Sequence, residues 1–178
     1  MAKFGFIGTG SMGGALARAA RKRLDGTDIL LSNRTAAKAE ELAKELGCRA
    51  VDNETAAKEA DCIFLGVKPY LVADLMAEIG PVLAARKDRF VLVSMAAALT
   101  IPDLRERGCG DWPLIRIMPN TPSAIGEGVI FYTCDGVTAE EEAAFLENMA
   151  GAGRLLPLDD HLMDAGSAVA GCGPAFVD

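Results

Sequence analysis

Phe6-Ile7-Gly8-Thr9-Gly10-Ser11-Met12-Gly13-Gly14-Ala15 decides the fold. The apolar run Phe4 to Ile7 reads as a strand and Ser11 to Arg23 as a helix, so the G-x-G-x-x-G spacing falls on a strand-to-helix turn. Gly8 permits the tight turn, Gly10 lets a pyrophosphate approach the backbone with no Cβ in the way, and Gly13 lets the helix pack closely on the strand. The unpaired N–H groups at the helix start then face the phosphates. A dinucleotide is the expected ligand, with Gly8, Thr9, Gly10, Ser11 and Met12 on its pyrophosphate.

Outward from this turn, apolar strand-like runs alternate with segments of helical period, the pattern of a parallel sheet covered on both faces. Further strands are expected at 28–31, 49–51, 62–67, 89–93, 114–117 and 129–133, with one more extended segment at 151–158. Helices are expected at 35–46, closed by Gly47, and at 53–60, 72–84, 101–107 and 138–149. Thr138, followed three residues later by Glu141, forms a capping box for the last of these. The fold class is therefore α/β, a doubly wound and mostly parallel Rossmann sheet spanning residues 1–158. From Asp159 the pattern changes: residues 160–169 read as a helix, Gly171 to Pro174 break it, and a new apolar helix begins after Pro174. Residues 159–178 are expected to open a second, α-helical domain.

The second strand ends in Ser32-Asn33-Arg34-Thr35. An acidic residue here would favour the ribose hydroxyls of NAD; none is present. Arg34 can offer a charge-assisted fork, with Ser32 and Asn33 as neutral donors, so NADP(H) is the expected cofactor. The competing reading makes Arg34 a solvated first-turn residue of the next helix, with Thr35 as N-cap. Lys68 follows the fourth strand at the carboxyl end of the sheet, where ligands of such sheets bind. Its position alone leaves it open between a ligand contact and a surface lysine before a turn-forming proline.

Composition excludes other classes. The 178 residues are 51% hydrophobic and 24% charged, the balance of a globular chain, and no apolar run approaches the ~20 residues of a membrane span. The start enters a strand without a leader pattern, so a cytoplasmic location is expected. A net charge of -7 without a cationic face argues against nucleic acid. Five widely spaced cysteines and a single histidine argue against structural zinc and a disulfide framework. His161 reads as exposed. No nucleophile elbow or metal-spaced cluster occurs, so no metal site and no catalytic residue is assigned within the chain.

Together, several segments resemble pyrroline-5-carboxylate reductase, collinearly over essentially the whole chain. They are the glycine turn, Asp52-Asn53-Glu54, Gly66-Val67-Lys68-Pro69, Val93-Ser94-Met95-Ala96-Ala97, Arg116-Ile117-Met118-Pro119-Asn120-Thr121-Pro122 with Gly126-Glu127-Gly128, Met163-Asp164-Ala165 and Gly171 to Phe176. The R-x-M-P-N-T-P segment is the most specific.

The resemblance implies NADPH-dependent reduction of 1-pyrroline-5-carboxylate to L-proline by a homodimer or higher homo-oligomer. It implies Ser32 and Arg34 on the ribose phosphate and Asn53 near the adenosine, although Asn53 also reads as a cap for the helix after it. Val67, Lys68, Pro69, Met95, Ala96 and Ala97 would flank the nicotinamide; the alanines also read as plain packing residues. The family's catalytic and substrate-holding Ser-Pro-Gly-Gly-Thr-Thr segment is expected beyond Asp178. Two departures stand out. Ala98 replaces a glycine, which is expected to reshape the turn near the ring, and Ala170, Cys172 and Phe176 replace two serines and a tyrosine. They keep open a non-catalytic NADP-binding paralogue, beside another Rossmann-type reductase of a small acid.

Overall fold

The computed structural model describes residues 3–172; the expected new helix after Pro174 lies outside them. Eight strands form one sheet: β1 (Phe4–Ile7), β2 (Ile29–Ser32), β3 (Arg49–Ala50), β4 (Cys62–Leu65), β5 (Val91–Ser94), β6 (Leu114–Met118), β7 (Gly128–Asp135) and β8 (Gly153–Pro157). Seven helices accompany them: α1 (Ser11–Arg21), α2 (Ala36–Leu46), α3 (Asn53–Glu59), α4 (Val72–Ala85), α5 (Ile101–Leu104), α6 (Ala139–Met149) and α7 (Met163–Ser167). The strand order is β3-β2-β1-β4-β5-β6-β7-β8. The first six strands are parallel, β7 runs antiparallel to β6, and β8 returns parallel to β7.

Each central strand of four residues is buried throughout, as expected of parallel strands covered on both faces. Successive side chains point to opposite sides. On one side Phe4, Phe6, Phe64 and Val93 join residues of α1, α2 and α6; the Phe6 and Phe64 rings stack at 4.3 Å. On the other, Ile7, Ile63, Leu65 and Leu92 meet α3, α4 and α5. There the Phe90 and Trp112 rings lie 5.7 Å apart, ahead of β5 and β6.

Helix limits follow local chemistry. Gly47 ends α2 in the left-handed conformation (φ 67°), and Thr138 with Glu141 forms the expected capping box of α6. A second such box, Thr100 with Asp103, starts α5. That helix is shorter than expected: after Leu104 the chain opens into a wide turn in which Gly108 takes φ 104°. Asp52, not Asn53, caps α3, its carboxylate accepting from the Thr55 N–H at 2.7 Å.

Candidate nucleotide-binding site

In register, Ile7 pairs with Ser32 and Leu65, and Leu65 pairs with Ser94. Four strands therefore end level, and the segments that leave them emerge along one edge: Gly8 to Met12, Asn33 to Arg34, Gly66 to Pro69, and Met95 to Ala97. Chain order reverses there, between β1 and β4, which is where open α/β sheets bind ligands.

The glycine turn is packed against its neighbours. Gly8 takes φ 99°, donates its N–H to the Ser32 carbonyl at 2.8 Å, and lies so close to Gly66 that a Cβ on it would sit 2.3 Å from the Gly66 oxygen. A Cβ on Gly13 would come within 2.0 Å of the Gly8 oxygen. On Gly10 it would meet nothing within 4 Å. The first two glycines let chain meet chain, whereas Gly10 leaves free space at the start of α1. No side chain caps α1 and no acidic residue lies in its first turn; Gly14 is the first whose N–H reaches the Gly10 carbonyl, at 2.8 Å. The Thr9 hydroxyl is buried without a partner. Uncapped N–H groups, an orphaned hydroxyl and empty space at a glycine suit a bound anion and fit the pyrophosphate of a dinucleotide.

At the end of β2 the polar groups are largely committed to one another. Asn33 accepts from the Thr9 N–H at 3.2 Å and donates to the Thr35 carbonyl at 3.2 Å, locking this turn to the glycine turn. Ser32 is 1% exposed and its hydroxyl donates to Asn53 Oδ1. Asn53 in turn donates to both oxygens of Glu78, at 3.0 and 3.1 Å. Arg34 is exposed, with no side-chain hydrogen bond or ion pair among the described residues. Thr35 holds the N-cap position of α2 without a side-chain bond. Of the three groups expected at a ribose phosphate, Ser32 has its single hydrogen committed and Asn33 one of its two, while Arg34 keeps all its donors free.

Val67 and Pro69 are half-buried and Lys68 is exposed at the edge, ahead of a short 3₁₀ turn. Across β4 and β5, Ser94 is buried and accepts from the Ala96 N–H at 3.3 Å; Met95 is half-buried, Ala96 buried and Ala97 exposed. Ala98 is the sole described non-glycine residue with positive φ, at 60°. The turn thus keeps a glycine-like conformation with alanine in it.

Elsewhere, His161 is exposed. Burial pushes the thiols of Cys48, Cys62, Cys109 and Cys134 upward, the third to about 11 and the last to about 12, so none supplies a thiolate at neutral pH. Two surface concavities, of about 460 Å³ beside β7 and β8 and about 610 Å³ between α3 and α4, are lined by none of the segments 8–12, 32–34, 66–69 and 95–97. Sequence reasoning gave Arg116 no role of its own. Its side chain is 1% exposed, and Nη1 donates to the Asp160 carbonyl and carboxylate at 3.1 and 2.7 Å while Nη2 reaches Asp164 at 3.3 Å. Asp160 also accepts from the Ile101 N–H at 3.0 Å, tying α5 into the same knot.

Comparison with known proteins follows the same lines. The family described as "NADP oxidoreductase coenzyme F420-dependent" matches residues 3–98. The pyrroline-5-carboxylate reductase of Corynebacterium melassecola is 32% identical over 180 residues, 99% of this chain and 67% of its own. The chain belongs to the pyrroline-5-carboxylate reductase family. The family's member from Pisum sativum is 30% identical over 180 residues, 97% of this chain and 63% of its own. A crystal structure of Plasmodium falciparum pyrroline carboxylate reductase, with NADP bound, superposes with a TM-score of 0.85 at 27% identity, covering 99% of this chain and 64% of that one. The chain thus spans about two thirds of the length of these reductases.

Proposed function

We propose that the protein acts in the NADPH-dependent reduction of 1-pyrroline-5-carboxylate to L-proline, the last step of proline biosynthesis. The observation that carries this reading is the level ending of β1, β2, β4 and β5. It gathers the glycine turn and the segments at 32–34, 66–69 and 95–97 along one edge, in a chain that belongs to this reductase family. A bound nicotinamide cofactor supplies the hydride. Gly8 to Met12 wrap its pyrophosphate, with the uncapped N–H groups at the start of α1 donating to it, and Arg34 meets its 2'-phosphate. Ser32, Asn33 and Asn53 line the adenosine ribose. Val67, Lys68 and Pro69 face Met95, Ala96 and Ala97 across the nicotinamide. Protonation of the imine nitrogen makes its carbon the better hydride acceptor, so an environment that favours the cation would help.

In this reading the Rossmann unit is residues 1–158, and residues 159–178 open a helical unit that supplies substrate and dimer contacts, in a cytoplasmic homo-oligomer. Val169, 72% exposed, and Leu162, 42% exposed, support a further packing partner for that segment. No helix among the described residues is long and apolar enough to cross a membrane.

Fluorescence titration of the 178-residue chain with NADPH is expected to saturate; a chain that binds no nucleotide overturns the reading. Adding 1-pyrroline-5-carboxylate tests catalysis. The substrate-holding residues are assigned to the part of the reductases that this chain does not match, so NADPH consumption is expected only where that part is present. Proline formation by the 178 residues alone would place the substrate site within them instead.

A further inference from the structure

Glu78 lies on α4, 46 positions after Ser32 in sequence, yet closes a hydrogen-bond chain that ends at the last residue of β2. The order of donors along this chain is fixed by chemistry. An ionised carboxylate only accepts, so Asn53 must turn its amide hydrogens toward Glu78. Its oxygen is then left facing Ser32, and an amide oxygen also only accepts. The Ser32 proton must therefore go to Asn53, and the hydroxyl keeps only lone pairs for any other partner.

A 2'-phosphate needs donors; a ribose 2'-hydroxyl can itself donate to a lone pair. With the chain closed, the single Ser32 hydrogen goes to Asn53 and none is left for a phosphate. Arg34 works toward NADPH at this edge, and the closed chain works against it.

We propose that Glu78 selects between the two nicotinamide cofactors: by fixing the orientation of the Asn53 amide it leaves Ser32 with only lone pairs to offer, and so lowers the preference for NADPH over NADH. The inference rests on the reading that this edge binds the adenosine ribose of a nicotinamide dinucleotide. Glu78 touches no cofactor atom in this scheme; it positions Asn53.

Glu78→Gln tests it. A glutamine can donate to Asn53 Oδ1, which lets Asn53 turn its amide hydrogens to Ser32 and frees the serine proton for the phosphate. Glu78 is exposed, so the substitution leaves the core untouched. Dissociation constants for NADPH and NADH are measured by fluorescence at fixed ionic strength in four proteins: parent, Glu78→Gln, Asn53→Ala and the double variant. Asn53→Ala breaks the chain without removing the cap of α3, which is Asp52.

The expected result is an NADPH preference that rises about three- to tenfold in Glu78→Gln, the worth of one neutral hydrogen bond. NADH affinity stays nearly constant, and Glu78→Gln adds nothing further once Asn53 is alanine. A rise of equal size in both backgrounds would mean that only the lost negative charge matters and would overturn the relay. No change in preference in Glu78→Gln overturns it as well. Failure of the parent to bind either nucleotide removes the underlying reading instead, and this inference with it.

Discussion

Ala98 holds φ 60° in the turn that follows β5, a conformation that costs a residue with a Cβ about 1–2 kcal/mol and glycine almost nothing. Ala98→Gly should raise stability by about 1 kcal/mol, because relief of strain outweighs the extra freedom of an unfolded glycine. In a chain of this size that is a rise of roughly 2–4 °C in melting temperature, measured by thermal unfolding. An unchanged or lower midpoint would show the turn to be unstrained. Arg34 belongs to this scale too. Arg34→Ala should weaken NADPH binding roughly tenfold or more while NADH binding barely moves. If the ratio of the two dissociation constants stays within about twofold of the parent, Arg34 is only a solvated helix-start residue. The glycines were legible in sequence because only glycine meets the demands at Gly8 and Gly13. Whether Ser32 donates or accepts was not, since that depends on Glu78 on a distant helix.

The start of α1 separates two kinds of glycine. At Gly13 an added Cβ would lie 2.0 Å from the Gly8 carbonyl, so helix and turn must part; at Gly10 it would enter empty space. Gly13→Ala is therefore expected to destabilise the fold by about 1–3 kcal/mol and to abolish nucleotide binding. Gly10→Ala should leave the unfolding midpoint within a few degrees of the parent yet lose most affinity for NADPH and NADH alike, because the methyl group occupies the pyrophosphate's place. Unfolding curves and titrations on both variants decide it; a Gly10→Ala protein that still binds normally would move the pyrophosphate elsewhere. Among elements, periodicity and caps located every strand and most helix ends. The direction of β7 was harder to see, because alternating burial looks the same in either direction. The clue lay in the link from Pro119 to Glu127, which is too short for the helical crossover that a parallel neighbour requires.

Across the whole molecule, Arg116 binds the sheet to the segment after β8. A buried guanidinium that loses its main partner is expected to cost about 3 kcal/mol or more, whereas an exposed contact contributes little. Asp160, 25% exposed, is the main partner at 2.7 Å, and Asp164, 74% exposed, the minor one at 3.3 Å. Asp160→Ala should thus lower the melting temperature by roughly 6–12 °C, with Asp164→Ala shifting it by less than about 3 °C. Equal shifts would mean that the two carboxylates share the load. Arg116 was visible in sequence only as part of a resemblance, because nothing in a strand pattern tells which of its residues will bury a charge. The tertiary partners that make such burial tolerable lie 44 and 48 positions away.

Trp112 is the chain's single tryptophan, and it packs on Phe90 just ahead of β6, at the opposite end of the strands from the nucleotide edge. About five residues of strand, roughly 17 Å, separate it from that edge. The protein therefore carries an optical reporter at one pole and, if the proposed site holds, takes a second, the reduced nicotinamide, at the other. Loss of the Phe90 contact registers in the indole spectrum when the sheet comes apart, while a ligand arriving at the far pole leaves the indole's own surroundings intact. Melting and occupancy can thus be followed in one cuvette at two wavelengths, without labelling.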